Sequence, residues 1–312
     1  MSFELPISRR EALKKIYRAI VAAGAASFLT FDDLLAAAQT SADKKPNVIW
    51  LHGTSCSGCS CSFLDIDFVS VSDILTKFTN LIFHPDISLA TGQQVPDLLN
   101  KMVDSGQSYI FVLEGGIPAA MPHACMTMDK PITEWVELLA KNATACIAAG
   151  TCSALGGIPK MNGTVTGSVT LDEFLADKGI EKPVVNLPNC PMKPEHFVYT
   201  ALHYAKLGEL PKLDEKNRPL RFFANTNHER CILYADFQEK RYAKKIGDPG
   251  CLLKLGCQGP VTRNDCLVTG HNDNTNTCIR AGHPCIGCAS EHFPRQIMLH
   301  TYDDTRVIKK KF

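Results

Sequence analysis

The sequence predicts an α/β protein: a doubly wound parallel sheet followed by an irregular, cysteine-rich segment. Two observations predict the sheet. Short apolar runs recur from residue 46 to about 207, and stretches with helical periodicity separate them. Strands that alternate with helices pair in parallel through right-handed crossovers. A third observation predicts the irregular part. After Gly208 the alternation stops, Gly, Pro, Asn and Cys become frequent, and residues 209–312 hold seven of the 14 cysteines. The expected organisation is a sheet domain over 46–207 and a second domain over 208–312.

The strands are expected at Val48–Leu51, Leu81–Phe83, Tyr109–Leu113, Ala145–Ala149 and Val184–Leu187. Each is a short run of mostly apolar residues bounded by polar or turn-forming residues, as in a sheet covered on both faces. Helices are expected between them. Residues 132–141 place Ile132, Trp135, Val136, Leu138 and Leu139 on one stripe, the spacing of a helix with one buried face. Leu171–Asp177 and Glu195–Lys206 show the same pattern, and Pro96–Val103 a shorter version of it.

Composition limits the function. The chain has 312 residues, 33 Lys and Arg against 32 Asp and Glu, and 45% hydrophobic residues. A net charge of +1 argues against a nucleic-acid binder, and the apolar content argues against disorder. Fourteen cysteines in a chain this long, two pairs of them spaced C-x-x-C, point to metal before disulfides.

Residues 1–38 read as an address. Ser8-Arg9-Arg10-Glu11-Ala12-Leu13-Lys14 resembles a twin-arginine export signal, with Ala12 where Phe is usual. An uncharged stretch, Ala19 to Phe31, follows and is too short to span a bilayer. Ala36-Ala37-Ala38 offers a cleavage site. Removing this segment takes away five basic and four acidic residues and leaves a neutral chain. A soluble protein outside the cytoplasm is expected, with no integral membrane anchor. An amphipathic first helix is the alternative. The twin-arginine route carries folded proteins, so cysteine abundance combined with this signal favours a metal cofactor inserted before export.

The cysteines fall into sets. Cys56 and Cys59 follow the first expected strand, Cys152 the fourth and Cys190 the fifth. In a parallel sheet these strand ends line the ligand crevice. Four thiols there fit a tetrahedral metal or cubane iron–sulfur site. A zinc site or two disulfides fit the same spacing.

Three blocks are more specific. Val48-Ile49-Trp50-Leu51-His52-Gly53 leads into Cys56 and Cys59, Val112-Leu113-Glu114-Gly115-Gly116-Ile117-Pro118 follows, and then Gly150-Thr151-Cys152-Ser153-Ala154 with Gly156-Gly157-Ile158-Pro159. In order and spacing they resemble nickel–iron hydrogenase small subunits, over residues 46 to 293. The resemblance implies a flavodoxin-like first domain whose proximal 4Fe–4S cluster takes Cys56, Cys59, Cys152 and Cys190. His228, Cys231, Cys251 and Cys257 resemble the ligands of a distal 4Fe–4S cluster. Cys266, Cys285 and Cys288 match the medial cluster. Relatives with a 3Fe–4S medial cluster carry Pro where this chain has Cys278. Cys278 as a fourth ligand makes the medial site 4Fe–4S, as in the nickel–iron–selenium branch; without it the cluster is 3Fe–4S. Cys61, Cys125 and Cys146 are left over, with Cys146 expected in the core and Cys61 turned away from the proximal site.

The resemblance further implies a role. The hydrogen-activating nickel–iron site lies on a separate large subunit, so this chain has no catalytic residue of its own. Ser57 stands where relatives carry a hydroxyl near that subunit and is a candidate for proton exit. Electrons would pass proximal to medial to distal and on to a soluble periplasmic acceptor such as a cytochrome c. Oxygen-tolerant relatives carry two extra cysteines where this chain has Gly58 and Gly157, so inactivation by air is expected. Two other readings stand beside this one: an electron-transfer subunit of a related complex without hydrogen chemistry, and a secreted protein stapled by disulfides.

Overall fold

The structure is a computed structural model; it describes residues 45–294 except 67–68, 162–163 and 272–273. The expected export signal, residues 1–38, lies outside the described residues.

Five strands form one parallel sheet: β1 (Asn47–His52), β2 (Asn80–Phe83), β3 (Tyr109–Glu114), β4 (Ala145–Ala149) and β5 (Val184–Leu187). Their order is β2-β1-β3-β4-β5. Every pairing is parallel, with β1 and β3 in register from Asn47–Tyr109 to His52–Glu114. Each predicted strand is present, with ends moved by at most one residue. The helices follow the predicted stripes: α2 (Gln94–Asp104), α3 (Ile132–Asn142), α5 (Leu171–Asp177) and α6 (Pro194–Leu207). Two short helices, α1 (Gly58–Leu64) and α4 (Gly150–Leu155), carry Cys59 and Cys152.

Both faces of the sheet are covered. Val48 and Trp50 of β1 and Ile110 and Val112 of β3 pack on one side with Phe63 of α1 and Phe197 of α6. Ile49, Leu51, Phe111 and Leu113 pack on the other with Leu99 of α2, Trp135 of α3 and Phe174 of α5. Alternate side chains of a strand point to opposite faces, so one continuous apolar run feeds two cores. This is a doubly wound sheet of the flavodoxin type, in which the strand order reverses next to β1 and the crevice opens at the strand C-termini.

Among the described residues beyond Gly208 the helices are short: α7 (Leu220–Phe223), α8 (Tyr234–Gln238) and α9 (Cys266–Thr269), with two 3-10 turns at Leu252–Leu255 and Gly259–Val261. Their small core joins Ala243, Leu252, Leu255, Leu267 and Ile279 to Cys257, Cys266 and Cys285. Three of those eight buried side chains are thiols, so this region has little purely apolar surface to hold it. Among the described residues no helix is long and apolar enough to cross a membrane.

Candidate metal centres

Three groups of thiols emerge when the loops are followed from the strand ends. The first gathers Cys56 and Cys59 after β1, Cys152 in α4 after β4, and Cys190 after β5. Burial pushes the Cys152 thiol up to about 11, and Cys190, Cys56 and the Glu114 carboxylate add to it. Burial likewise raises Cys59, with Glu114, Cys152 and Cys190 contributing. Four thiols that repel one another when ionised share one site. Gly150 makes the approach possible. Its φ is +80°, and a Cβ there would stand 2.4 Å from Cys59 Sγ. The Met192 N–H donates to Cys59 Sγ at 3.3 Å.

The second group lines a cleft with His228, Cys231, Cys251 and Cys257. Burial raises Cys251 and pushes Cys257 up to about 12, with the Cys231 charge contributing to both. The His228 ring is fixed edge-on against Phe237 at 4.4 Å and Tyr234 at 5.2 Å. Burial lowers its pKa, which favours the neutral imidazole that a metal requires. The Leu233 N–H donates to Cys231 Sγ at 3.4 Å.

The third group lies between the other two. Burial raises Cys288 far above the ordinary thiol range, and Cys285, Cys266 and Cys278 all add to it. Cys278 also raises Cys285, after the dominant effect of burial. Asn227 Nδ2 donates to Cys285 Sγ at 3.6 Å, while its Oδ1 accepts from Cys266 at 3.5 Å. The groups interlock. The Cys288 thiol donates to Asn189 Oδ1 at 3.2 Å, next to Cys190 of the first group. The Cys190 backbone N–H lowers the Cys288 thiol, against the larger effect of burial. The Gln258 N–H, next to Cys257 of the second group, donates to Cys285 O at 2.8 Å.

These donor sets fit iron–sulfur clusters. Buried, mutually repelling thiols stay protonated alone, and metal binding removes that penalty by taking the thiolates. N–H groups aimed at sulfur suit a cluster, whose sulfurs are stabilised by hydrogen bonds. All 14 cysteines carry free thiols, so no disulfide staples the described residues. Cys146 is buried in β4, Cys125 is half-buried, and Cys61 is exposed on α1.

Comparison with known proteins places this arrangement. The chain is 34% identical over 308 residues to the periplasmic [NiFeSe] hydrogenase small subunit of Desulfomicrobium baculatum, covering 93% of this chain and 97% of that one. The chain belongs to the NiFe/NiFeSe hydrogenase small-subunit family. A profile for the C-terminal part of NiFe/NiFeSe hydrogenase small subunits matches residues 223–301, and one for the 20 Kd subunit of NADH ubiquinone oxidoreductase matches 56–204. The hydrogenase-2 small chain of Escherichia coli strain K12 is 35% identical over 257 residues, 80% of this chain and 68% of its own. The solved structure of H2-activated Dm. baculatum [NiFeSe]-hydrogenase superposes with a TM-score of 0.77 at 34% identity, covering 81% of this chain and 97% of that one.

Around the first thiol group the hydrogenase small subunit holds a polar network that the sequence pattern does not announce. Glu114 ends β3 and is 1% exposed. Its Oε1 accepts from the Ser55 hydroxyl at 2.7 Å and the Cys59 N–H at 3.2 Å. Its Oε2 accepts from the Ser60 hydroxyl at 2.6 Å and N–H at 3.1 Å, and lies 3.2 Å from His52 Nε2. Burial opposes ionisation of Glu114, but His52 and Ser60 outweigh it and bring its pKa down to about 2. Its place at a strand C-terminus, inside the crevice, and its place within one of the family-like sequence blocks are the signals the sequence offers. His52, His84 and Asp86 lie close enough together for a cation. However, the Asp86 N–H donates to His84 Nδ1 at 3.0 Å, so a neutral His84 carries its proton on Nε2, facing Ser60 Oγ at 3.2 Å. A ligating histidine instead gives its other N–H away to an acceptor. The three residues form a hydrogen-bonded network rather than a metal site.

His84 gives a pH prediction. Burial, and then the charge of His52, push its pKa from 6.5 down to about 4. A depressed pKa means that folding favours the neutral ring. The stabilisation is complete above pH 6.5 and disappears as pH falls through 4; it is worth about 3 kcal/mol at neutral pH. The melting temperature should therefore fall between pH 6.5 and 4, and His84→Gln should flatten that limb. Equal slopes in parent and variant would show that His84 does not control it.

Proposed function

We propose that this chain carries electrons between a hydrogen-activating large subunit and an external acceptor through three iron–sulfur clusters. Cys56, Cys59, Cys152 and Cys190 would hold the proximal 4Fe–4S cluster, Cys266, Cys278, Cys285 and Cys288 the medial one, and His228, Cys231, Cys251 and Cys257 the distal one. When bound, such clusters supply one-electron redox chemistry at potentials set by ligands, hydrogen bonds and burial. The observation that carries the reading is the interlocking: the Cys288 thiol donates to Asn189 beside Cys190, and the Gln258 N–H beside Cys257 donates to Cys285 O. These contacts support a relay in which the medial set joins the other two.

The residues of the chain do the rest. Cys56 is exposed while Cys59 is buried, so the first set opens toward one surface, where a large subunit would cover it. Ser57 lies in that opening, with φ of +57° and its N–H bonded to Ser55 Oγ at 2.9 Å, and is a candidate for proton exit. At the other end Ile232 and Tyr234 are exposed beside Cys231, a face suited to a soluble acceptor such as a periplasmic cytochrome c. An imidazole ligand there carries less negative charge than a thiolate. The relatives named periplasmic support export of this chain, with residues 1–38 as its twin-arginine signal and a mature protein divided into residues 46–207 and 208–312. The match of residues 56–204 to the 20 Kd subunit profile keeps a related complex without hydrogen chemistry in view, but the match over 223–301 favours hydrogenase.

Co-expression with a large subunit tests this. The purified pair should contain about twelve iron atoms in this chain, four for each cubane site, and should reduce a dye under H2. A chain that purifies alone, colourless and free of iron would sink the proposal.

A further inference from the structure

A buried ion pair lies between the segment of Cys190 and the helix of Cys266. Lys193 precedes α6 and is 1% exposed, and its Nζ is 3.2 Å from Asp265 Oδ1. Nζ also donates to the Thr269 hydroxyl. Asp265 immediately precedes Cys266, and His196 Nε2 meets the same Oδ1 at 3.0 Å. Taking an ammonium and a carboxylate out of water costs several kcal/mol for each ion, and apolar contacts would join two segments as firmly. The location of the charge explains it better. Lys193 Nζ touches Asp265, just before the short helix that Cys266 opens, and Thr269, at the other end of that helix, so a buried cation lies within about one helical turn of the Cys266 ligand.

We propose that the Lys193 ammonium, held in place by Asp265 and Thr269, raises the reduction potential of the medial cluster. This rests on the reading of Cys266, Cys278, Cys285 and Cys288 as its ligands. Reduction adds one negative charge to a cluster, and a fixed cation nearby stabilises that charge without reorganising. Lys193 acts here as a positioning residue for charge.

The experiment is a redox titration followed by electron paramagnetic resonance on the purified large–small heterodimer. It compares the parent with Lys193→Met, Lys193→Arg, Asp265→Asn and the double variant Lys193→Met/Asp265→Asn. Poised at the parent's medial midpoint, Lys193→Met should raise the ratio of oxidised to reduced medial cluster about tenfold, equivalent to about 59 mV for one electron. Asp265→Asn leaves the cation unopposed and should move the ratio the other way. Lys193→Arg and the double variant should stay near the parent, and the distal signal should not move. If Lys193→Met fails to assemble, the opposite sign in Asp265→Asn and the parent-like double variant still decide. An iron-replete Lys193→Met with an unmoved potential would overturn the proposal. So would shifts of the same sign in both single variants, which would mark a structural disturbance. A parent heterodimer without cluster signals would instead remove the cluster reading on which the proposal rests.

Discussion

Gly150→Ala should empty the proximal site. The Gly150 backbone has φ of +80°, and a Cβ there would fall 2.4 Å from Cys59 Sγ and 3.4 Å from Asn189 O. Non-glycine residues reach such a φ at a cost of about 1–3 kcal/mol. The contact with sulfur is worse than the strain, because relieving it displaces Cys59. Cys59 is fixed from three sides: its N–H is bonded to Glu114, its sulfur accepts from Met192, and the thiol donates toward Ala149 O at 4.0 Å. Changes beside a ligand typically cost about 10–100-fold in metal affinity or activity. Here the ligand itself must move, so the upper end is expected: H2-dependent dye reduction about 100-fold down, with about a third of the cluster iron lost. Gly179→Ala is the control. Its φ is +63°, but nothing lies within 4 Å of a Cβ there, so it carries backbone strain without the clash. Full iron and parental turnover in Gly150→Ala would show that the first thiol set does not hold a cluster at this place.

The fold is largely legible in the sequence because its signals are local. Each sheet strand is a short apolar run bounded by polar or turn-forming residues, which marks its position if not its register. α2 begins at Gln94 rather than Pro96 because Val95 is buried against the second core. The helical stretch Val71–Asp73 and Ile74–Phe78 does not stand out in the sequence: its polar residues Ser72, Asp73, Thr76 and Lys77 interrupt the apolar pattern, although Ile74 and Phe78 are buried. The cysteines are legible as sets because the sheet collects strand ends and because the family spacing is specific. Polar partners far apart in the chain are not legible. Lys193 is 72 residues from Asp265, and a lone Lys before a helix reads as solvated surface. Asn189 and Asn227, which join one thiol group to its neighbours or tie two thiols together, are ordinary loop residues until the fold brings sulfur to them. The buried carboxylate of Glu114 sits at the end of an apolar run, where the crevice rule for strand C-termini and its family-like block mark the residue but not its network of partners.

Cys278→Pro should convert the medial cluster from 4Fe–4S to 3Fe–4S while the other two clusters persist. Cys278 is half-buried, and its charge raises both Cys285 and Cys288, which places it with them rather than in a separate apolar contact. Two features of the backbone are compatible with the change. The Cys278 carbonyl accepts the His283 N–H at 2.8 Å, a bond that proline keeps, and Thr277 before it is not helical. What disappears is one thiolate. A corner iron without its protein ligand is labile, so one iron per heterodimer should leave. Losing an iron and an anionic ligand changes cluster type and net charge, two of the quantities that set potential, and the potential should rise. The oxidised variant should then give a near-isotropic electron paramagnetic resonance signal that the oxidised parent lacks. The proximal and distal signals should remain, since no ligand is shared: Cys190 adjoins the third group beside the Asn189–Cys288 contact, and Cys257 adjoins it through Cys285 and the Gln258 N–H. Oxidised parent already showing one 3Fe–4S centre per heterodimer would remove Cys278 from the ligand set and leave Cys266, Cys285 and Cys288 to hold a three-iron cluster alone.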